Sequence, residues 1–272
     1  MAALRRVILI VLMHLLICPS VYGQDKPSDS KKWQFEFTPY VWLPSVNADI
    51  TVGDATVDVD IPFSDIWDNF DVFSLAGRSE AWKGGRWGLI LDGIYIVLDT
   101  DTGGANLETD LVLIDYAAGY RVAEVPLGSR EESSTESKSP ALWFDAIGGL
   151  RYGYFKAEIT LRASGPIIGE RSITLRESED WVEPFIGGRI GVQVTEKFSL
   201  EFRGDVGGFG LGSATDFTWN FIGGIDYRPW KLASFKLAYR VLGIDYEQGS
   251  GSDKLGLDGI MHGPLLGLTF YF

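Results

Sequence analysis

The sequence predicts an all-β fold, an antiparallel up-and-down barrel of about ten strands that cross a membrane. Three observations predict it. Long segments alternate apolar and polar residues with period two, the mark of strands with two unlike faces. The connections between them alternate short and long, as in barrels with tight turns at one rim and extended loops at the other. Finally, the 272-residue chain combines 33 glycines with 13% aromatics, both high for a soluble domain. Beyond the first segment, no run reaches the roughly eighteen consecutive apolar residues of a membrane helix.

That first segment, "MAALRRVILIVLMHLLICPSVYG", carries Arg5 and Arg6, an apolar core from Val7 to Cys18, and small or neutral residues up to Gly23. This is the order of a secretory signal, with cleavage expected after Gly23. Its apolar core is too short to span a bilayer. A lipid anchor on Cys18 is disfavoured because Ile17 is bulky and Pro19 follows. Removing residues 1–23 leaves 22 basic residues against 37 acidic ones, a net charge of −15. Nucleic acid is therefore not an expected partner, since phosphate binding needs a basic footprint. Cys18, the sole cysteine, leaves with the signal, so no disulfide or thiol chemistry is expected.

Residues 24–32 read as a short periplasmic lead-in, and 33–272 as the barrel. Its ten segments lie near 33–44, 72–84, 86–100, 109–124, 141–157, 181–195, 198–212, 216–229, 233–247 and 257–272. In "WQFEFTPYVWL", Trp33, Phe35, Phe37, Val41 and Leu43 share one parity against Gln34, Glu36 and Thr38. Phe198, Leu200, Phe202 and Val206 alternate with Ser199, Glu201, Arg203 and Asp205. Phe217, Trp219, Phe221, Ile225 and Tyr227 do so with Thr218, Asn220, Asp226 and Arg228. Such lengths suit tilted strands with about nine to eleven residues in the apolar zone.

"KGGR" (83–86), "TEKF" (195–198) and "YRPWKLAS" (227–234) are short connections, whereas 45–71, 165–180 and 248–256 read as longer loops. The serine- and glutamate-rich stretch 124–140 reads as a flexible insertion on the short-turn side. A hairpin over 48–61 would raise the strand number to twelve, and eight is the smaller alternative. Ile-Gly-Gly recurs at 147–149, 186–188 and 222–224, read as close approach or bending of strands at glycine.

The last eight residues, "LLGLTFYF", resemble the carboxy-terminal signal read by the outer-membrane assembly machinery, with Gly267, Phe270 and Phe272 on its glycine and spaced aromatics. "PYVWLP" (39–44), "RGDVGGFGLGS" (203–213) and "GPLLGLTFYF" resemble a Gram-negative outer-membrane β-barrel family of unassigned function, of the small OmpA/OmpW-like kind. The resemblance implies an outer-membrane location, contact with membrane lipid and lipopolysaccharide, and handling by the barrel assembly machinery. It implies little chemistry.

Taking the more polar parity as inward gives Arg78, Glu80, Asp115, Arg121, Asp145, Arg151, Glu183 and Arg189. The same parity continues through Glu201, Arg203, Asp205, Asp226, Arg228, Lys236 and Arg240. Facing lipid, each charge would cost roughly 2–4 kcal/mol near the bilayer centre. Both signs occur together, which predicts a paired network filling a narrow lumen; the alternative is a selectivity-lined pore.

Enzymatic activity is not expected. The only histidine beyond the signal, His262, has the lipid-facing parity and no nucleophile beside it. Asp54, Asp58, Asp60, Asp65, Asp68 and Asp71 lack the ligand alternation and glycine of a calcium loop, so no metal or other cofactor is expected. Within that stretch "SDIWDNF" could form one or two helical turns capped by Ser64. The expected protein is a monomeric, non-enzymatic barrel with a structural or interaction role at the cell surface; the alternative is a narrow passive channel.

Overall fold

The computed structural model describes residues 32–63, 72–102, 105–127, 140–165, 169–210 and 215–272. The expected signal, most of the lead-in, the "SDIWDNF" turns and residues 128–139 of the insertion lie outside them.

Twelve strands run in chain order: β1 (Trp33–Trp42), β2 (Ser45–Val52), β3 (Ala55–Ile61), β4 (Val72–Lys83), β5 (Trp87–Thr102), β6 (Ala105–Pro126), β7 (Ala141–Gly165), β8 (Gly169–Gln193), β9 (Phe198–Gly208), β10 (Phe217–Tyr227), β11 (Ala233–Gln248) and β12 (Leu255–Tyr271). Ten of them, β1 and β4 to β12, form an antiparallel sheet that closes on itself when β12 pairs with β1. Ten is thus the barrel's strand number. The 48–61 hairpin exists as β2–β3, but it hangs on the far half of β12 instead of widening the ring. β12 pairs with β1 over Leu265–Tyr271 and with β2 over Leu255–His262, so the chain leaves the barrel wall at Leu43 and Pro44.

Two expected loops are strand. Residues 45–61 are the hairpin, and 165–180 shrink to a short connection because β7 and β8 pair without a break from Ala141↔Gln193 to Gly165↔Gly169. The sequence hides this extension because its polar residues occupy both parities, whereas the alternation rule looks for one apolar stripe. The 248–256 loop keeps one 3-10 turn, Gly251–Asp253.

At the end where β1 begins and β12 stops, strands face lipid with Trp87, Leu89, Tyr116, Leu150, Val182, Phe202, Phe221, Phe235, Leu237 and Leu266, all exposed. Aromatic pairs ring this rim: Trp87–Tyr120 and Phe198–Tyr227 lie 4.6 Å apart and Trp230–Phe235 5.4 Å apart. Such a band with an aromatic girdle is the surface a bilayer requires.

Toward the opposite end the pattern inverts. On β11, Phe235, Leu237 and Tyr239 point out, but two turns of the pleat later Asp245 and Glu247 do, while Leu242, Ile244 and Tyr246 are buried inside. On β6, Asp110 and Glu108 replace the outward Tyr116, and on β5 Asp99 marks the same level. Beyond it the strands emerge into water, and the barrel becomes a two-layered sandwich. The inward faces of β5 to β8 meet those of β11, β12 and the β2–β3 hairpin. Trp42, Leu107, Phe155, Ile159, Trp181, Leu242, Tyr246 and Leu255 are fully or almost fully buried there, and Trp181 stacks on Tyr246 at 4.3 Å. Each fully buried side chain of this size contributes roughly 1.5–3 kcal/mol. These side chains form an apolar plug at this end of the barrel.

Inside the ring, inward glycines allow neighbouring strands to close up. A Cβ on Gly149 would lie 2.1 Å from the Tyr116 carbonyl oxygen, and one on Gly187 2.3 Å from that of Gly204. Both belong to the recurring Ile-Gly-Gly stretches.

Candidate functional site: the charged lumen

Below the apolar plug, the polar parity of every spanning strand meets on the barrel axis. Arg189 on β8 reaches across to β4, donating from Nη1 to both Glu80 carboxylate oxygens at 2.9 Å. Its Nε and Nη2 hold Asp145 on β7 at 3.1 and 2.9 Å. Asp145 also accepts from Arg121 Nε at 2.9 Å. Trp82 closes this layer: its Nε1 donates to Glu80 at 2.8 Å, and the Arg189 guanidinium lies 5.1 Å from its ring.

The next layer is built around two arginines. Arg151 grips Asp115 through Nε (2.7 Å) and Nη2 (3.1 Å), and the same Nη2 reaches Asp205 at 2.8 Å. Arg203 donates to Asp115 from Nη2 at 3.0 Å and to Asp205 from Nε at 3.2 Å. Glu183, fully buried, lies 3.5 Å from Arg151 and accepts from the hydroxyls of Thr218 (2.6 Å) and Thr215. Such bidentate and shared geometries are what make buried charge tolerable, because the carboxylates find charged donors.

A third group joins β1 to the rest. Arg78 donates to Asp92 from Nη2 at 2.8 Å, and Tyr40 donates its hydroxyl proton to the other Asp92 oxygen at 2.7 Å. Arg240 reaches Tyr40 Oη at 3.3 Å and the Asn220 side-chain oxygen at 2.9 Å, and Asn220 donates in turn to Asp205. Toward the terminal rim, Lys236 faces Glu201 at 3.8 Å, and Asp226 accepts from Ser234 at 2.9 Å.

Fourteen of the fifteen inward charges read from sequence thus lie along one continuous lumen. Arg228 stands apart: it stacks on Tyr271 at the rim, 3.6 Å from the ring centroid. Two lumen carboxylates lie outside that set: Glu36, of the polar parity of β1 and directly opposite Glu80, and Asp92, which the alternation did not reveal. In "GLILDGIYI" both parities are apolar, so its inward stripe carries no polar signature. Tyr40, Trp82, Thr218 and Asn220 escaped for a related reason, being neutral groups whose role appears only once partners are known.

The terminal-strand residues sit at the closure. Phe270 pairs with Phe37, and Phe272 donates its backbone N–H to Phe35 at 2.9 Å, with both aromatic rings exposed to the lipid zone. Gly267 faces inward, where a Cβ would meet that of Tyr40 at 3.0 Å. His262 points outward and shares a 2.7 Å hydrogen bond with Tyr239.

A cavity of about 30 Å³ lies between Tyr40, Arg78, Glu201, Asp226 and Lys236, room for about two water molecules. Among the described residues, no group of three or more histidines, cysteines or carboxylates is placed to hold a metal ion.

No family model matches the chain, and no curated protein does. Among solved structures it is similar to the outer membrane protease OmpT from Escherichia coli, at 9% identity and a TM-score of 0.47, covering 92% of this chain and 100% of that one. It is also similar to Neisserial surface protein A, at 10% identity and a TM-score of 0.34 over 91% of this chain and 100% of that one. A third likeness is the attachment invasion locus protein Ail of Yersinia pestis, at 9% identity and a TM-score of 0.33, covering 89% of this chain and 99% of that one. The closed ring, the lipid-facing band and the polar lumen make this chain an outer-membrane β-barrel.

Proposed function

We propose that this barrel is a closed, non-enzymatic outer-membrane protein whose role is structural or interactive. One observation carries the reading: ion pairs and hydrogen bonds join strands that are not neighbours, crossing the lumen from Arg189 to Glu80, from Arg203 to Asp115 and from Arg151 to Asp205. A conducting pore needs a continuous water column, and these bridges occupy its cross-section. The apolar plug above them opposes solute entry from the other end.

Glu80, Asp115, Asp145 and Asp205 are each held by arginine side chains, which commits them to fixed partners. Monomeric behaviour fits a ring with all its spanning edges paired. The runner-up is a narrow passive channel, favoured by the small cavity beside Glu201 and Lys236. Purified protein in planar bilayers separates the two: the closed barrel gives no steady single-channel steps, and steps that are reproducible and ion-selective would establish the channel.

A further inference from the structure

Among the described residues, the outer edge of the hairpin carries no partner strand. β3 pairs with β2 along its whole length and, among the described residues, with no strand on its other side. Across the gap, β4 begins at Val72, while its ladder with β1 ends at Tyr40↔Ala76, so residues 72–75 also lack a strand partner there. Unpaired edges invite strand addition, and proteins usually blunt them with lysine or proline. This edge carries no lysine, and Pro62 follows its last residue; its outward residues are Thr56, Asp58 and Asp60, all exposed.

A second feature leads to the same edge. Asp245, Asp258, Asp49 and Asp58 stand directly opposite one another on four successive strands, in the register Asp245↔Asp258, Asp258↔Asp49 and Asp49↔Asp58. Like charges directly opposite are destabilising in a sheet. Among the described residues, no basic side chain forms an ion pair with any of the four. Loss of water and the nearby Asp258, Asp216 and Glu247 push the Asp245 carboxyl above its ordinary range. The row ends at Asp58, on the open edge.

We propose that β3 takes an extended cationic peptide segment of a partner protein as an added strand. The register defines its pattern. Residues beside Val57, Val59 and Ile61, whose side chains are buried, must be apolar, and those beside Asp58 and Asp60 must be lysine or arginine. Backbone bonds to the edge supply affinity and the alternate side chains supply specificity. A second copy of this chain is disfavoured as occupant, because it would set one acidic edge against another.

The proposal rests on the reading of the barrel as an interaction protein, yet the two fail separately: channel activity would overturn the closed lumen and leave peptide binding unaffected. The test uses the whole barrel in detergent micelles and a fluorescent Val-Lys-Val-Lys-Val-Lys-Val peptide, read by anisotropy. Saturable binding is expected, weakened at least about tenfold by N-methylation of alternate amides, by lysine-to-glutamate replacement, or by Asp58→Lys with Asp60→Lys in the barrel. A heat-modifiability gel verifies that the variant is folded. Equal binding of the N-methylated peptide would mean that charge alone acts, and would overturn strand addition. So would absence of binding, or displacement of the peptide by magnesium at constant ionic strength, which would make the row a divalent-cation surface.

Discussion

Arg203 is 2% exposed and surrounded by Asp92, Asp115 and Asp205, yet its Nη1 is a buried side-chain nitrogen without a hydrogen-bond partner, 3.7 Å from Asp92. The guanidinium is held by charge more than by ideal geometry, so its removal takes a counterion from three carboxylates. Truncating one partner of a dry, buried ion pair costs about 3–5 kcal/mol. Arg203→Ala is therefore expected to lower the urea unfolding midpoint markedly, with no conductance before or after. A hydrated pore makes the opposite prediction of unchanged stability and altered ion selectivity, and that result would favour the channel. At this scale the sequence was informative wherever an acid or base stood in a polar stripe, as Arg203 and Asp205 do. It was silent at Asp92, whose neighbours Ile90 and Ile94 mask the parity.

Among the elements, the spanning parts of β9 and β10 were legible almost to the residue, because a bilayer outside and charges inside force one clean alternation. The protruding half obeys a different solvent. There water lies outside and the apolar core inside, so Leu242, Ile244 and Tyr246 continue the parity of Lys236 and Arg240. A strand that crosses between the two regimes shows one alternation that reverses in sign, and a single-sign rule ends it early. Beyond the reversal on β8, residues 169–180 carry polar residues on both parities as well and read as a loop, whereas 45–61 lies wholly outside the ring and read as a loop or, over 48–61, a hairpin. The same logic fixes the expected topology: the end with the reversed pattern faces the exterior. A protease site engineered at Ser250, beside the 3-10 turn, should be cut on intact cells, and one at Ser133 should resist until the outer membrane is breached. The reverse result would turn the barrel over.

For the whole molecule, everything depends on the seam where the last strand meets the first. β1 joins β12 only over its lower half, since Pro44 leads the chain away into β2, and the seam ends in the reciprocal backbone pair between Phe35 and Phe272. Phe272 closes the ladder through its backbone, and we propose that its aromatic side chain is also read by the assembly machinery whose signal the terminal residues resemble. The roles separate by substitution. Phe272→Ser keeps the backbone pair and loses the ring, whereas deletion of Phe272 loses both. If recognition dominates, both variants insert poorly, and cell fractionation with a heat-modifiability gel should show folded barrel in the outer membrane falling to a similar degree. If closure dominates, the serine variant inserts normally and only the deletion fails. Folded protein at the wild-type level in both would remove the terminal strand from either role, because a ring with nine intact ladders would then be closing without the residue that completes its tenth.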